Sequence, residues 1–401
     1  MSTSNLYHAH GIKGVEHKST KYEKGCIVYH VEMVHQQICC PKCSSKKSHF
    51  KGQKNRRFRM IPVGSKKCYL HVLLHRLQCL KCGYQWWPRL PFMKGKLQMT
   101  RSLIKYIFDL LSISTIQDVS RLLGISWNVI KKIHKMKLTN LYKKIDIKNV
   151  KYISVDEFAI KKGHEYMTVF NDIETGRIIH AVEGRRIEDI KPFLLKLKKE
   201  SKLLKAIAMD MSLSYIPAVQ KYLPEIDIVF DHFHVNALMN KTLDDIRKGQ
   251  QTNLNQQQEK VLKGNRFLLL RNYEDLEPEF KSRLEVILKI NEPLFKAHGL
   301  KEQFRLFWKQ NSMQKAWIFL DQWILDARAS GVKKLKKMAK TLDRHMLGLL
   351  NYFKHRITNA AAEGINNKIK TMKRQAYGFR DMEYFKLRLY HLHEQRYAFV
   401  G

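Results

Sequence analysis

Two C-x2-C pairs, Cys40/Cys43 and Cys79/Cys82, constrain this chain more than any other feature. A knuckle of this kind curls the backbone so that two thiolates point at one metal. Two knuckles complete a tetrahedral four-sulfur site for structural Zn²⁺. Residues far apart in sequence must then meet. The stretch "CYLHVLLHRLQC" before the second knuckle alternates apolar and polar residues, which predicts a β-hairpin inside a zinc ribbon. The chain has 7 cysteines, an odd number with no secretory leader, so a disulfide framework is not expected. A reactive dithiol would need only one knuckle. Cys39 is a spare neighbour, and Cys26 and Cys68 read as ordinary strand residues.

Charge is the second constraint. The formal net charge is +38. Residues 1–150 hold 29 Lys+Arg against 6 Asp+Glu, and residues 51–100 contain no acid. Such a field attracts polyanions, nucleic acid first. No basic amphipathic anchor marks a membrane-surface protein. No run of 18 apolar residues predicts a membrane span, and "MSTSNLYHAHGIKG" lacks the charged start and apolar core of a signal peptide, so a cytoplasmic protein is expected.

Pro88 and Pro91 end the cysteine-bearing module, and a helical period follows from Thr100 to about Tyr142. In "TIQDVSRLLGISWNVIKKIHK", Ile116, Val119 and Leu123 share one face, Gly124 supplies a turn, and Ser126 is placed to cap a second helix. Val129 or Ile130, with Ile133, face inward; Lys131, Lys132 and Lys135 face outward. Two short helices about a glycine turn, the second basic, read as a helix-turn-helix with a recognition helix over about Ser126 to Lys137. Trp127, Asn128 and Lys131 lie near its start, where side chains reach base edges; Lys132 and Lys135 are placed for phosphate. The competing reading is a plain helical hairpin.

"YISVDEFAIKKG" reads as a strand, yet Asp156 and Glu157 sit in its middle. Burying a carboxylate costs several kcal/mol unless something pairs with it. Two strands follow about a turn at Glu174-Thr175-Gly176, then a helix from Ile187 to about Leu203, a strand "LLKAIAMDMS" ending in Asp210, a helix over Ser214 to Leu223, and a strand "IDIVFDHFHV". This order predicts an α/β layered domain with a mixed sheet, in the order of a ribonuclease-H-like fold. Strands carrying Asp156 and Asp210 can then be neighbours. Close carboxylates raise each other's pKa, and a divalent cation such as Mg²⁺ or Mn²⁺ removes that penalty. From Asn236 to about Gly348 the chain reads as helical, with Trp308, Trp317 and Trp323 as core. In "TNAAAEGINNKIKTMKR", Ile365, Ile369 and Met372 form an apolar stripe, and Asn359, Glu363, Asn367 and Lys370 a polar one. A solvated face is the competing reading of that polar stripe.

In order, the knuckles, the glycine-turned helices, "ISVDEFAIKKGHEY", "AMDMS", "FDHFHV" and "NAAAEGINNKIKTMKRQAYGFRD" resemble the DDE transposases of the bacterial insertion-sequence family IS-L-three, over nearly the whole chain. The resemblance implies a ribonuclease-H-like catalytic domain interrupted by a helical insertion, and maps the acidic triad onto Asp156, Asp210 and Glu363 as Mg²⁺ ligands. It favours Asp156 over Glu157, which should point to the opposite face of the strand. It implies a zinc-ribbon DNA-binding domain over 1–92, a helix-turn-helix DNA-binding domain over 93–148, a catalytic domain over 149–235 and 350–401, and a helical insertion over 236–349. Lys370 and Arg374 are then further DNA contacts. The expected partners are double-stranded DNA, both terminal inverted repeats and target, and a second copy when two ends are paired. The expected location is cytoplasmic and nucleoid-associated. The rival from another class is a DNA-binding regulator with an inactive catalytic fold. Asp231, His232 and His234 stay open between a role beside the metal, a DNA contact and a structural one.

Overall fold

The hairpin expected between the knuckles forms from β3 (Ser48–Arg59) and β4 (Lys67–Cys79) in a computed structural model of the chain. The structure describes residues 5–34, 38–93, 95, 97–161, 165–211, 215–251, 264–358 and 360–394, without the side chains of 251 and 360–363. A short helix α1 (Asn5–His8) precedes β1 (Val15–Glu23) and β2 (Cys26–Met33). The last two form an antiparallel hairpin whose turn residues Lys24 and Gly25 both have positive φ, which suits the twist of a tight hairpin. β2 then pairs in parallel with β4, and β5 (Gln85–Trp86) pairs with the end of β4. The sheet order is β1-β2-β4-β3. Cys68, Leu70, Val72 and Leu74 of β4 are buried with Phe58, Met60, Tyr29 and Val31.

Helices α2 (Arg101–Leu110), α3 (Ile116–Leu123) and α4 (Trp127–Leu141) complete this unit, which ends at Lys143. Thr115 and Asp118 form a capping box at the start of α3, and Gly124 ends it in the left-handed conformation. Ser126 occupies the N-cap of α4, as its position predicts, but makes no side-chain cap bond. Ile130, Ile133 and Leu138 are buried, and α4 runs past Lys137 to Leu141.

The second unit runs from Lys144 to His393. It contains β6 (Tyr152–Ala159), β7 (Tyr166–Asp172), β8 (Ile178–Glu183), α5 (Ile187–Glu200), β9 (Ala206–Met209), α6 (Tyr215–Tyr222) and β10 (Asp227–Phe230). The sheet order is β10-β9-β6-β7-β8: an antiparallel meander β6-β7-β8 extended by the parallel strands β9 and β10. This is the mixed sheet of a ribonuclease-H-like fold. The strand read through "IDIVFDHFHV" stops at Phe230. Helix α7 (His232–Gln251) starts two residues later, with the Asp231 carbonyl accepting from the Val235 N–H at 3.2 Å.

Helices α8 (Arg266–Leu270), α9 (Pro278–Lys289), α10 (Glu292–Phe307), α11 (Met313–Ala329), α12 (Lys333–Arg344) and α13 (Met346–His355) follow. Then come α14 (Ala360–Gln375) and α15 (Met382–Tyr390). Trp323 is fully buried and Trp308 partly so, but Trp317 is 48% exposed and is not core. Trp317 and Trp323 share α11 six residues apart, which turns one well away from the face of the other. α13 covers the open edge of β10: Asn351 donates to the Ile228 carbonyl at 2.9 Å, and Lys354 and His355 reach Asp227 at 2.7 Å each.

Candidate functional site

The four knuckle cysteines meet. Their sulfur atoms lie within 4.8 Å of one another, with Cys40 to Cys82 at 3.6 Å and Cys43 to Cys79 at 3.5 Å. A tetrahedron of Zn–S bonds of about 2.3 Å has edges of about 3.8 Å, so the thiols already sit at metal-binding spacing. Local backbone explains the convergence. Ser44 and Gly83, each just after its knuckle, take positive φ, and their N–H groups return to the Cys40 and Cys79 carbonyls at 2.8 and 3.0 Å. Burial resists ionisation of Cys79, but the Cys82 and Lys81 backbone N–H groups overcome it and lower that thiol to about 6. Cys43 is pushed the other way, to about 12: a backbone bond from Ser45 favours its thiolate, but burial and the neighbouring thiols outweigh it. Four thiols so close cannot all ionise alone; a cation removes that conflict. Among the described residues this is the one group of three or more metal-binding side chains so closely gathered. Cys26 and Cys68 lie in β2 and β4 away from it, and Cys39 is exposed.

The acids of the second unit are placed by strand register. β6 and β9 pair as Tyr152↔Ala206, Ile153↔Ile207 and Ser154↔Ala208. Continuing that register by two residues sets Asp156 opposite Asp210. β10 and β9 pair up to Phe230↔Met209, so one further step sets Asp231 opposite Asp210 as well. The register therefore brings three acids toward one another: Asp156 within β6, Asp210 just after β9 and Asp231 just after β10. Asp156 is held from two sides: its Oδ1 accepts from the Glu157 N–H at 2.7 Å, and its Oδ2 from the Asn366 amide of α14. Burial pushes its carboxyl up, those two hydrogen bonds and His234 oppose, and the Asp210 charge adds to the rise. Asp210 is half exposed and Asp231 is buried; His234 stands between them, Nδ1 at 3.6 Å from Asp210 and Nε2 at 3.8 Å from Asp231. Glu157 turns instead to the Tyr215 hydroxyl (3.0 Å) and Arg185 (3.7 Å).

Helix α14 buries Ile365, Ile369 and Met372 as its spacing requires. Glu363 lies on it one turn before Asn366, but its side chain, like Asn359, lies outside the described residues. Lys373 donates to the Ala159 carbonyl, tying α14 to β6, while Asn367, Lys370 and Arg374 are exposed. Sequence reasoning missed Asn366: two adjacent amides fit the helix pattern, and only the packing shows which one meets Asp156.

On α4, Trp127 is 42% exposed and the Lys131 ammonium lies 5.6 Å from its ring centre. Asn128 and Lys132 are exposed; Lys131 and Lys135 are half-buried. In the same unit β3 is an edge strand with Lys51, Lys54 and Arg57 exposed; Lys54 lies over Trp87 and Arg57 over Tyr69. No described helix is long and apolar enough to cross a membrane.

Comparison with known proteins agrees with these features. A family model of ISL3 transposases, described as "Transposase", matches residues 153–389. A second, described as "zinc-finger of transposase IS204/IS1001/IS1096/IS1165", matches residues 36–82. The transposase for insertion sequence element IS1001 of Bordetella parapertussis is 31% identical over 91% of this chain and 89% of its own length. The transposase for insertion sequence element IS1557 of Mycobacterium tuberculosis is 24% identical over 85% and 82%. With a transposase match over more than half its residues, and with the four-thiol cluster inside the zinc-finger match, the chain belongs to the ISL3 (IS-L-three) family of DDE transposases.

Proposed function

We propose that this transposase binds the terminal repeats of its insertion sequence through the zinc ribbon and helix-turn-helix, and cleaves and joins DNA at Asp156, Asp210 and Glu363. The observation that supports the reading is the parallel pairing of β6, which carries Asp156, with β9, which leads into Asp210, together with the Asn366 bond from α14 to Asp156. The donor set fits a hard cation: a half-buried carboxyl pushed up by desolvation and by a like charge is the site that Mg²⁺ or Mn²⁺ relieves. A divalent cation held there supplies Lewis-acid activation of the attacking oxygen and charge stabilisation on the leaving one. Asn366 fixes the Asp156 carboxylate, and Lys370 and Arg374 meet the phosphate backbone beside it. Water attacks the phosphorus at the element's end, the P–O bond to the leaving strand breaks, and a 3′-OH is freed. That 3′-OH attacks a phosphodiester of target DNA and exchanges one P–O bond for another. Neither step needs a covalent enzyme intermediate. Trp127, Asn128 and Lys131 read base edges, Lys132 and Lys135 contact phosphate, and two copies act on the paired ends.

The test is incubation of labelled end DNA with Mg²⁺ and the full chain. Asp156→Ala, Asp210→Ala and Glu363→Gln should each cut nicking and joining by more than about a hundred-fold, since such cations supply several kcal/mol at the transition state. End binding should stay within about two-fold. Near-normal nicking by any variant removes that residue from the triad. Binding without cleavage by the unmodified chain favours the regulator reading.

A further inference from the structure

Helix α12 has an unusual division of charge. Leu335, Met338, Ala339 and Leu342 are buried, facing α7 and α11. Lys333, Lys336, Lys337 and Lys340 lie on the opposite side, all exposed, at spacings of three and four residues. Neighbours at that spacing repel, and Lys333 and Lys336 also sit in the first turn, where the helix dipole disfavours cations. The nearby acids are engaged elsewhere: Asp343 pairs with Arg328, and Asp245 lies 3.8 Å from Lys334. The protein thus carries a stripe of concentrated positive charge on the exposed face of a helix whose other face is buried.

We infer that the Lys333–Lys340 stripe of α12 is a duplex-DNA backbone contact that the helical insertion adds to the catalytic unit. This rests on the reading that the chain binds and cuts DNA. Charge complementarity identifies the occupant. From Lys333 to Lys340 the helix rises about 10 Å, and each strand of a duplex carries one phosphate per about 3.4 Å of its axis. The stripe therefore spans roughly three phosphates. The location suits it too. Lys334 meets Asp245 on α7, the helix that begins at His232 beside Asp231. Asp245 is about 16 Å along that helix from His234, within half a turn of duplex. Such a contact carries no sequence information; it fixes register and orientation.

The experiment is a salt titration of full-chain binding to a fluorescent duplex carrying the element's end, and to a random duplex. The variant is K333Q/K336Q/K337Q/K340Q, which keeps helix propensity. A control variant, K191Q/K198Q/K199Q/K202Q, removes the same charge from exposed positions on and just after α5. The α12 variant should weaken both duplexes at least ten-fold at 100 mM salt and flatten the log–log salt slope by about three units. The control should change the slope by less than about one. An unchanged slope in the α12 variant, or equal changes in the two variants, would overturn the proposal while leaving the catalytic reading intact. No salt-dependent binding by the unmodified chain would overturn both.

Discussion

His180 sits on β8 with its imidazole stacked on Phe193 of α5, ring centres 4.1 Å apart and planes nearly parallel. Burial lowers it to about 4, with Lys196 and Lys386 adding to the effect. His298 on α10 is also lowered to about 4, by burial and then Lys301. Both are neutral when folded at neutral pH and free to protonate when unfolded. Between about 6.5 and 4 the unfolded chain binds more protons, so stability rises with pH. Full stability is present above about 6.5 and is lost on acidification toward 4, on the order of 3 kcal/mol per histidine. Urea midpoints of His180→Phe, which keeps a ring against Phe193, should fall less steeply over that window than those of the unmodified chain. An identical pH slope would show that His180 does not titrate this way. Other single residues differ in how openly they declare themselves. The knuckle cysteines and Asp156 stand out because their chemistry conflicts with a plain strand or loop. Asn366 does not: Asn367 fits the polar stripe of α14 better, and choosing between them needs the facing strand. Asp231 stayed unassigned because its place beside Asp210 depends on β10 ending at Phe230 rather than running on through His234.

At the scale of elements, burial decides what is readable. β4 alternates because one face packs a core, so its hairpin partner and register are legible. β1 is wet on both faces and reads "VEHKSTKYE"; backbone pairing to β2 holds it, and no side-chain period records that. The helix packed on β10 shows a constraint of the opposite kind. Gly348 of α13 lies against the Phe230 ring, and a methyl group there would overlap it. Gly299 in α10 is exposed with open space where a Cβ would go. Helix propensity favours alanine at both by about 1 kcal/mol. At Gly348 overpacking against a buried ring costs about 1–3 kcal/mol and should win. Gly348→Ala should therefore lower the denaturation midpoint, and Gly299→Ala should raise it slightly. If both substitutions stabilise, β10 and α13 are not packed this closely.

Across the whole molecule, two compact units, each with a large buried cluster of its own among the described residues, set how the protein should melt. Phe58, Leu70, Val72 and Leu74 belong to the first, with its sheet and four thiols; Ile153, Ile207, Phe304 and Trp323 belong to the second. The four-thiol cluster joins the segment before β3 to the end of β4, so a metal held there would stabilise the first unit and leave the second without a direct share. A ligand at a thousand times its dissociation constant adds about 4 kcal/mol. For a unit of this size that moves the midpoint by roughly 10 °C or more. Scanning calorimetry of the full chain should therefore resolve two transitions. A strong chelator, or Cys79→Ser, should lower one by about 10 °C or more and leave the other within about 2 °C. Acidification from pH 7 to 5 should lower both transitions, since His10 and His71 of the first unit are lowered by burial as His180 and His298 of the second are. Zinc measured by absorption spectroscopy should fall together with the first transition. A single transition that shifts as a whole on chelation would mean that the two cores fold as one cooperative body. Unchanged melting after verified zinc loss would mean that the sheet's apolar core alone holds the ribbon together.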